Sequence, residues 1–335
     1  MKIKKNDLFM GIYLLSAVLF FIISIPSWLL DILLAFNIGV AMVVLFNALF
    51  AKEVLDMASF PTLLLFTTIF RISLNVSSTK LILRDGDAGE VVNTFGEFVG
   101  GGNLVIGIII FIVLIIIQFI VINKGSERVA EVTARFTLDA MAGKQMAIDS
   151  DLNTGAITDK EAQIKRQKLQ KENSFFGSMD GATKYVKGDA TAGLIITGIN
   201  IVGGIIMGMV YGGLDITEAL QKYTILTIGD GLCSQIPSLL ISLSTGILVT
   251  KASSDGELGD EMVGQLLSID KVLLMVGAAM SLLGVITPLP WYIFVPFGVA
   301  LIVYSRKVGK KNDIEAIEEE VEAEETEAQD RKSVV

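Results

Sequence analysis

The sequence predicts an all-α integral membrane protein of about eight transmembrane helices, with a small cytoplasmic subdomain between the fourth and fifth. Three observations carry that reading. Hydrophobic residues make up 52% of the 335, and charged residues only 19%, below the quarter or so usual in soluble domains. Apolar runs recur at about the 20 residues that a bilayer-spanning helix needs. The positive charge of the intervening segments is strongly one-sided.

The apolar runs place spans at Leu8–Ser24, Leu29–Phe50, Phe60–Asn75, Leu104–Val121, Gly193–Tyr211, Leu232–Val249, Val272–Ile286 and Trp291–Tyr304. The start resembles a signal peptide, with a basic n-region before an apolar run. No small-residue cleavage site follows, so it reads as a retained first span. Residues 76–103 read as an outer or interfacial loop, in which GEVVNTFGEFVG has near-helical apolar spacing and suggests an interfacial helix. The last two spans are joined by Thr287-Pro288-Leu289-Pro290, short enough only for a tight hairpin.

With both termini in the cytoplasm, the inner segments hold 23 of the Lys and Arg residues and the outer segments hold 4. That asymmetry orients the chain in a cell membrane. Four regions follow: a first four-span bundle (1–121), a cytoplasmic loop subdomain (122–192), a second four-span bundle (193–304) and an acidic linker (305–335). The loop subdomain contains RVAEVTARFTLDAMAGKQMAIDSD, residues 128–151, where charges alternate with apolar residues as on a solvated amphipathic helix. Farther on, Thr158-Asp159-Lys160-Glu161 is a capping-box pattern that opens a helix running to about Glu172. The net charge of −9 belongs mostly to residues 312–335, which carry ten acidic and two basic side chains and too few apolar ones to pack. Such a linker leads to a further domain, so the chain reads as a truncated product or part of a longer one.

Histidine is absent and Cys233 is the only cysteine. Histidine acid–base chemistry, His metal sites, intrachain disulfides and cysteine zinc clusters are excluded together. No enzyme activity, metal, cofactor or nucleic-acid partner is expected. The charges near the membrane core are the informative ones, because each costs roughly 2.5–3.5 kcal/mol there on translocon scales. Asp31 sits just inside the second span, where a helix dipole favours a carboxylate. Arg71 either snorkels to the interface or pairs with a buried acid. Asp189, flanked by Lys184 and Lys187, stands where the fifth span begins, and Asp230 where the sixth begins. Each acid is either a helix N-cap or a carboxylate that gains and loses a proton as its hydration changes. In this topology the two acids lie near opposite faces, which suits a relay and not a shared-proton pair. Gly204, Gly208 and Gly212 repeat every four residues, the spacing of close helix packing, within one subunit or between subunits.

Several long blocks resemble one family. RVAEVTARFTLDAMAGKQMAIDSDL, FRISLNVSSTKLIL, GGNLVIGIIIFIVLIIIQFIVINKG, SFFGSMDGATKYVKGDA and LTIGDGLCSQIPSLLIS are similar to the type III export-gate (FHIPEP) family, and to its flagellar rather than its injectisome members. Ala142 stands where that family usually has proline, which removes a turn constraint. The resemblance implies a homo-oligomeric ring in the inner membrane, working with other export-apparatus membrane proteins. It implies that export substrates and chaperones dock on a C-terminal cytoplasmic domain, and that export draws on the proton motive force. It also places functional charges at Arg71, Lys184, Asp189 and Asp230, and a signature loop at Arg135, Asp139, Lys144, Gln145, Asp149 and Asp151. The competing reading is an ion-coupled transporter of a small solute. Such proteins commonly carry internal repeats, and none is clear between the two halves here.

Overall fold

A computed structural model describes residues 5–100, 103–251, 258–286 and 290–310, and no β-strand occurs among them. The chain divides into two units, residues 1–255 and 256–335. Among the described residues, six helical segments are long and apolar enough to cross a membrane: Ser27–Phe50, Val54–Asp85, Leu104–Asn153, Asp159–Val210, Ile216–Thr250 and Trp291–Lys310. The other two predicted spans fall on shorter helices, Lys5–Ile22 and Asp270–Ile286.

In the first unit α1 (Lys5–Ile22) and α2 (Ser27–Phe50) are separated at Pro26, which cannot donate to a helix ladder. A 3-10 turn at Val54–Met57 leads into α3 (Phe60–Asp85), with Pro61 in its first turn. The sequence ends this helix at Asn75; it continues ten residues farther and stops at Gly86, which has a left-handed backbone. The predicted loop at 76–103 is therefore helical in its first third. Its amphipathic stretch forms the expected helix, α4 (Glu90–Gly100), which packs along α9 (Ile216–Thr250).

Helix α5 (Leu104–Ile116) passes into a π-helical segment (Ile117–Asn123) and then α6 (Lys124–Asp139) and α7 (Met141–Asn153). Next, α8 runs unbroken from Asp159 to Val210, 52 residues. The capping box opens it as expected: the Glu161 side chain accepts from the Thr158 N–H at 2.7 Å, and Thr158 Oγ1 accepts from the Glu161 N–H at 3.4 Å. The expected break between Glu172 and Gly193 does not occur, so cytoplasmic loop and fifth span are one rod. α9 likewise starts at Ile216 and not near Leu232, and keeps Pro237 in its interior. Asp189 and Asp230 are accordingly mid-helix residues, and neither caps a helix.

The interior of this unit is built from small and aromatic groups on α2, α3, α8 and α9, with Phe60, Phe175, Phe176 and Met179 at one end. At the other end Leu30, Phe70, Leu74, Ile82 and Tyr223 knit α2, α3 and α9. Gly204 and Gly208 of α8 both face the Tyr223 ring of α9. The glycine repeat thus serves packing inside one chain. Outward, α5 presents Val105, Ile106, Ile109, Ile112 and Val113, an apolar face that only lipid or another apolar surface solvates.

Asp31 is a cap, though not of its own helix. Its carboxylate accepts the N–H groups of Glu90 and Val91 at 3.1 and 2.9 Å and so closes the start of α4. Gly89 makes room for it: its φ is +95°, and a Cβ there would strike the Asp31 carboxylate. Asp31→Ala is expected to cost about 1 kcal/mol, read as a lower unfolding midpoint in detergent. An unchanged midpoint would show that α4 holds its start without the cap.

In the second unit α10 (Leu258–Leu267) precedes α11 (Asp270–Ile286) and α12 (Trp291–Lys310). Gly277 faces Gly298, Gly284 faces Phe294, and the Ser305 hydroxyl donates to the Asp270 carbonyl at 2.8 Å. That register is an antiparallel hairpin. The predicted turn at residues 287–289 and the acidic segment from 311 onward lie outside the described residues.

Candidate functional site

Three helices turn polar faces toward one another inside the first unit. On α3 the face carries Arg71, Asn75 and Ser78. On α8 it carries Asp189, Thr197 and Asn200. On α9 it carries Asp230, Ser234 and Ser238. The spacings of three, four and eight residues keep each set on one side of its helix. The column is buried: Arg71 is 2% exposed, Asp189 5%, Asn200 0% and Asp230 6%.

Arg71 is the partner of Asp189. Its Nε donates to Oδ2 at 2.7 Å, and its Nη2 bonds the same oxygen. Both donors therefore converge on one carboxylate oxygen, leaving Asp189 Oδ1 and Arg71 Nη1 without a protein partner. Beside the pair lies a cavity of about 40 Å³, lined by Asn75, Gln118, Thr197, Ser234 and Ser238 among others. A water needs roughly 10–15 Å³ of such space, so a few waters fit and can supply the missing bonds.

Asp230 lies about two to three helical turns farther along, beside Ser78 of α3 and Asn200 of α8. It accepts from Asn200 Nδ2 at 3.0 Å, and the Ser78 hydroxyl also faces it. No cation pairs with it among the described residues. The two acids are thus held differently, one by a guanidinium and one by neutral amide and hydroxyl groups.

Lys184 is not part of this column. It is exposed and pairs with Asp180 at 2.7 Å, one turn back on α8. Five residues on an α-helix turn through about 140°, which carries Lys184 away from Asp189. Lys187 pairs instead with Glu127 of α6 at 3.0 Å. The flanking lysines of the sequence are therefore replaced, as partners of Asp189, by an arginine 118 positions away.

The signature residues form a charged hairpin. Asp149 pairs with Arg166 at 2.5 Å, Asp151 with Lys165 at 3.6 Å and Lys144 with Glu172 at 3.5 Å, each joining α7 to α8. Arg135 pairs with Glu131 within α6 at 3.3 Å. Asp139 and Gln145 are exposed. Helix α7 buries no residue, so these half-exposed pairs, worth about 0–1 kcal/mol each, hold it where it is. Raising salt to about 1 M, where the Debye length falls to about 3 Å, is expected to speed amide exchange across residues 141–153 and leave α9 unchanged. Equal protection at both salt levels would mean that α7 is held otherwise.

Asn75, Gln118, Asn200 and Ser238 are members of the site that hydropathy does not mark. Their only signal is a polar side chain recurring within apolar spans, as Gln118 does in IIIQFIVIN.

The FHIPEP family model matches residues 17–335. The flagellar biosynthesis protein FlhA of Bacillus subtilis is 50% identical over 326 residues, 96% of this chain and 48% of that protein. FlhA of Salmonella typhimurium is 50% identical over 286 residues, 84% of this chain and 41% of that protein. The low calcium response locus protein D of Yersinia pestis is 48% identical over 293 residues, 87% of this chain and 42% of that protein. The chain spans less than half the length of these relatives. No solved structure matches it. With the match running from the first helix through the buried column to the end of the sequence, this multi-pass membrane chain belongs to the FHIPEP family, that of the type III export gate.

Proposed function

We propose that this chain is the membrane region of a flagellar export-gate subunit, and that it couples the proton motive force to export of flagellar proteins across the inner membrane. The observation that carries the proposal is the buried Arg71–Asp189 pair beside a hydratable cavity. A buried ion pair is stable only while both members are charged; protonating Asp189 strands a guanidinium in an apolar bundle. The helices that hold the pair, α3 and α8, must then repack or admit water. Because α8 continues without a break into the charged hairpin, repacking at Asp189 reaches the cytoplasmic side through one element. Asp230 is a second acid on the same column and extends the path. Lys184 contributes on the exposed face of α8, through Asp180 rather than through Asp189. A sodium ion can serve in place of the proton at such carboxylates.

The proposal keeps eight spans, with α1 and α11 completing the six longer helices, and both termini cytoplasmic. Residues 1–121 and 193–304 act as membrane bundles, 122–192 as the cytoplasmic subdomain and 305–335 as a linker. Its partners are further copies in a ring, other export-apparatus membrane proteins, and substrates and chaperones received by the rest of a full-length protein. The transporter alternative fares worse at this site, because the cavity beside the Arg71–Asp189 pair, about 40 Å³, has no room for an organic solute.

The test is secretion of a flagellar reporter from cells lacking their own gate protein. The chain is supplied alone and joined to the remaining portion of a FlhA relative, at matched membrane levels. Export from the joined form, lost in its Asp189→Asn version, is the expected result. Normal export from joined Asp189→Asn would remove the coupling role of that carboxylate.

A further inference from the structure

Two polar cavities meet at a single side chain. The inner one holds Arg71 and Asp189, and Asn123 forms part of its wall. A second cavity of about 20 Å³ lies on the other side of Asn123, lined by Ser126, Glu127, Thr183, Lys187, Ser242 and Thr245. Its rim is the Glu127–Lys187 pair, whose lysine side chain is 49% exposed. Between the cavities the Ser242 hydroxyl donates to Asn123 Oδ1 at 3.0 Å, and both residues are buried.

The backbone explains how this neck is made. Gln118 and Asn123 are five residues apart, and on an α-helix they would point about 140° from each other. They lie in the π-helical segment Ile117–Asn123, whose i→i+5 ladder stacks residues five apart. Both therefore face α9: Gln118 Nε2 donates to the Gln235 carbonyl at 3.2 Å, and Asn123 meets Ser242 two turns on. Pi-helical turns are rare and concentrate at functional sites.

We propose that the Asn123–Ser242 hydrogen bond is the neck of a water passage joining the Arg71–Asp189 cavity to solvent on the Glu127–Lys187 side. Three buried atoms of the inner cavity lack protein partners: Arg71 Nη1, Asp189 Oδ1 and Ser238 Oγ. Buried polar groups require a partner, and water is the one that fits a cavity this small. On α9, Thr245, Ser242, Ser238 and Ser234 follow one another at three- and four-residue spacing from the outer cavity to the inner. A hydroxyl thus stands on each turn of the route, with Asn123 as its narrowest point. The passage gains its role from the coupling reading above, which makes Asp189 the group to be hydrated.

The test measures access by silver ion, a water-sized thiol reagent, in membrane vesicles holding the whole chain. Cys233, which is buried, is replaced by Ala, and Ser238→Cys places one thiol in the inner cavity. Silver blocking is followed by maleimide labelling after denaturation, with exposed Ser150→Cys as the control position. Adding Asn123→Leu is expected to slow blocking at position 238 about tenfold or more, since an apolar plug removes a water's partners at the neck. Asn123→Ala widens the neck and is expected to speed it. Position 150 reacts alike throughout. Slowing cannot arise from unfolding, which would expose the thiol. An unchanged rate in Asn123→Leu, or no silver reaction at position 238 with Asn123 in place, would overturn the passage. The measurement needs no export. Silver rates as expected, together with normal export from Asp189→Asn, would remove the coupling reading and leave the passage standing.

Discussion

Arg71→Leu is expected to destabilise the first unit by about 3–5 kcal/mol, because it leaves Asp189 as an unpaired charge inside the bundle. The double variant Arg71→Leu/Asp189→Leu is expected to regain most of that loss. Two apolar side chains of similar volume commonly replace a buried pair at little cost, since neither charge then needs desolvation. Export should follow a different pattern and be lost in the single and the double variant alike. Unfolding midpoints in detergent, set beside reporter secretion, separate the two roles. A double variant as unstable as the single one would mean that the pair holds the fold together. A double variant that exports would mean that the charges are dispensable for the gate.

Gly229→Ala is expected to be nearly as damaging, by about 3 kcal/mol, near the top of the usual range for overpacking. A Cβ at this position on α9 would overlap the Val92 carbonyl oxygen of α4 and come within 3.0 Å of the Gly96 nitrogen. Helix α4 cannot simply retreat, for Gly96 itself lies against the Ile225 carbonyl and the Asp31 cap fixes the helix start. The displaced α9 would carry Asp230 with it and break its bond to Asn200. Gly246→Ala on the same helix is the control. Its nearest neighbour would be Ser126 Cβ at 3.9 Å, and a helical alanine is otherwise favoured over glycine by about 1 kcal/mol. Equal stability of the two alanine variants would contradict the tight α4–α9 crossing.

Much of this was legible in the sequence, because burial in lipid leaves a plain signature. Every predicted span falls on a helix, and the capping box at Thr158 opens the helix expected there. Helix ends were less legible. Hydropathy reports how much of a helix is apolar and says nothing of how far the backbone ladder continues. That is why α3 passes Asn75, α8 crosses the Gly188–Gly193 stretch unbroken, and α9 begins 16 residues before Leu232. The site was legible as a set of costly charges, but not in its pairing. Arg71 and Asp189 meet through tertiary packing, whereas Lys184 is near Asp189 only along the chain. The π-helical segment has no compositional mark, since IQFIVIN reads as any lipid-facing stretch.

The unbroken α8 has a mechanical consequence. At about 1.5 Å per residue its 52 residues form a rod of about 78 Å, against a hydrocarbon core of about 30 Å. Asp189 lies 30 residues from the Asp159 end, an arm of about 45 Å. Pivoting at the Arg71 contact, a tilt of about 5° would sweep the far tip through about 4 Å, about three-quarters of the rise of one helical turn. On the coupling proposed above, protonating Asp189 would remove the attraction at the fulcrum, and the arm would magnify the resulting tilt into a displacement of side-chain size at the signature hairpin that rides on it.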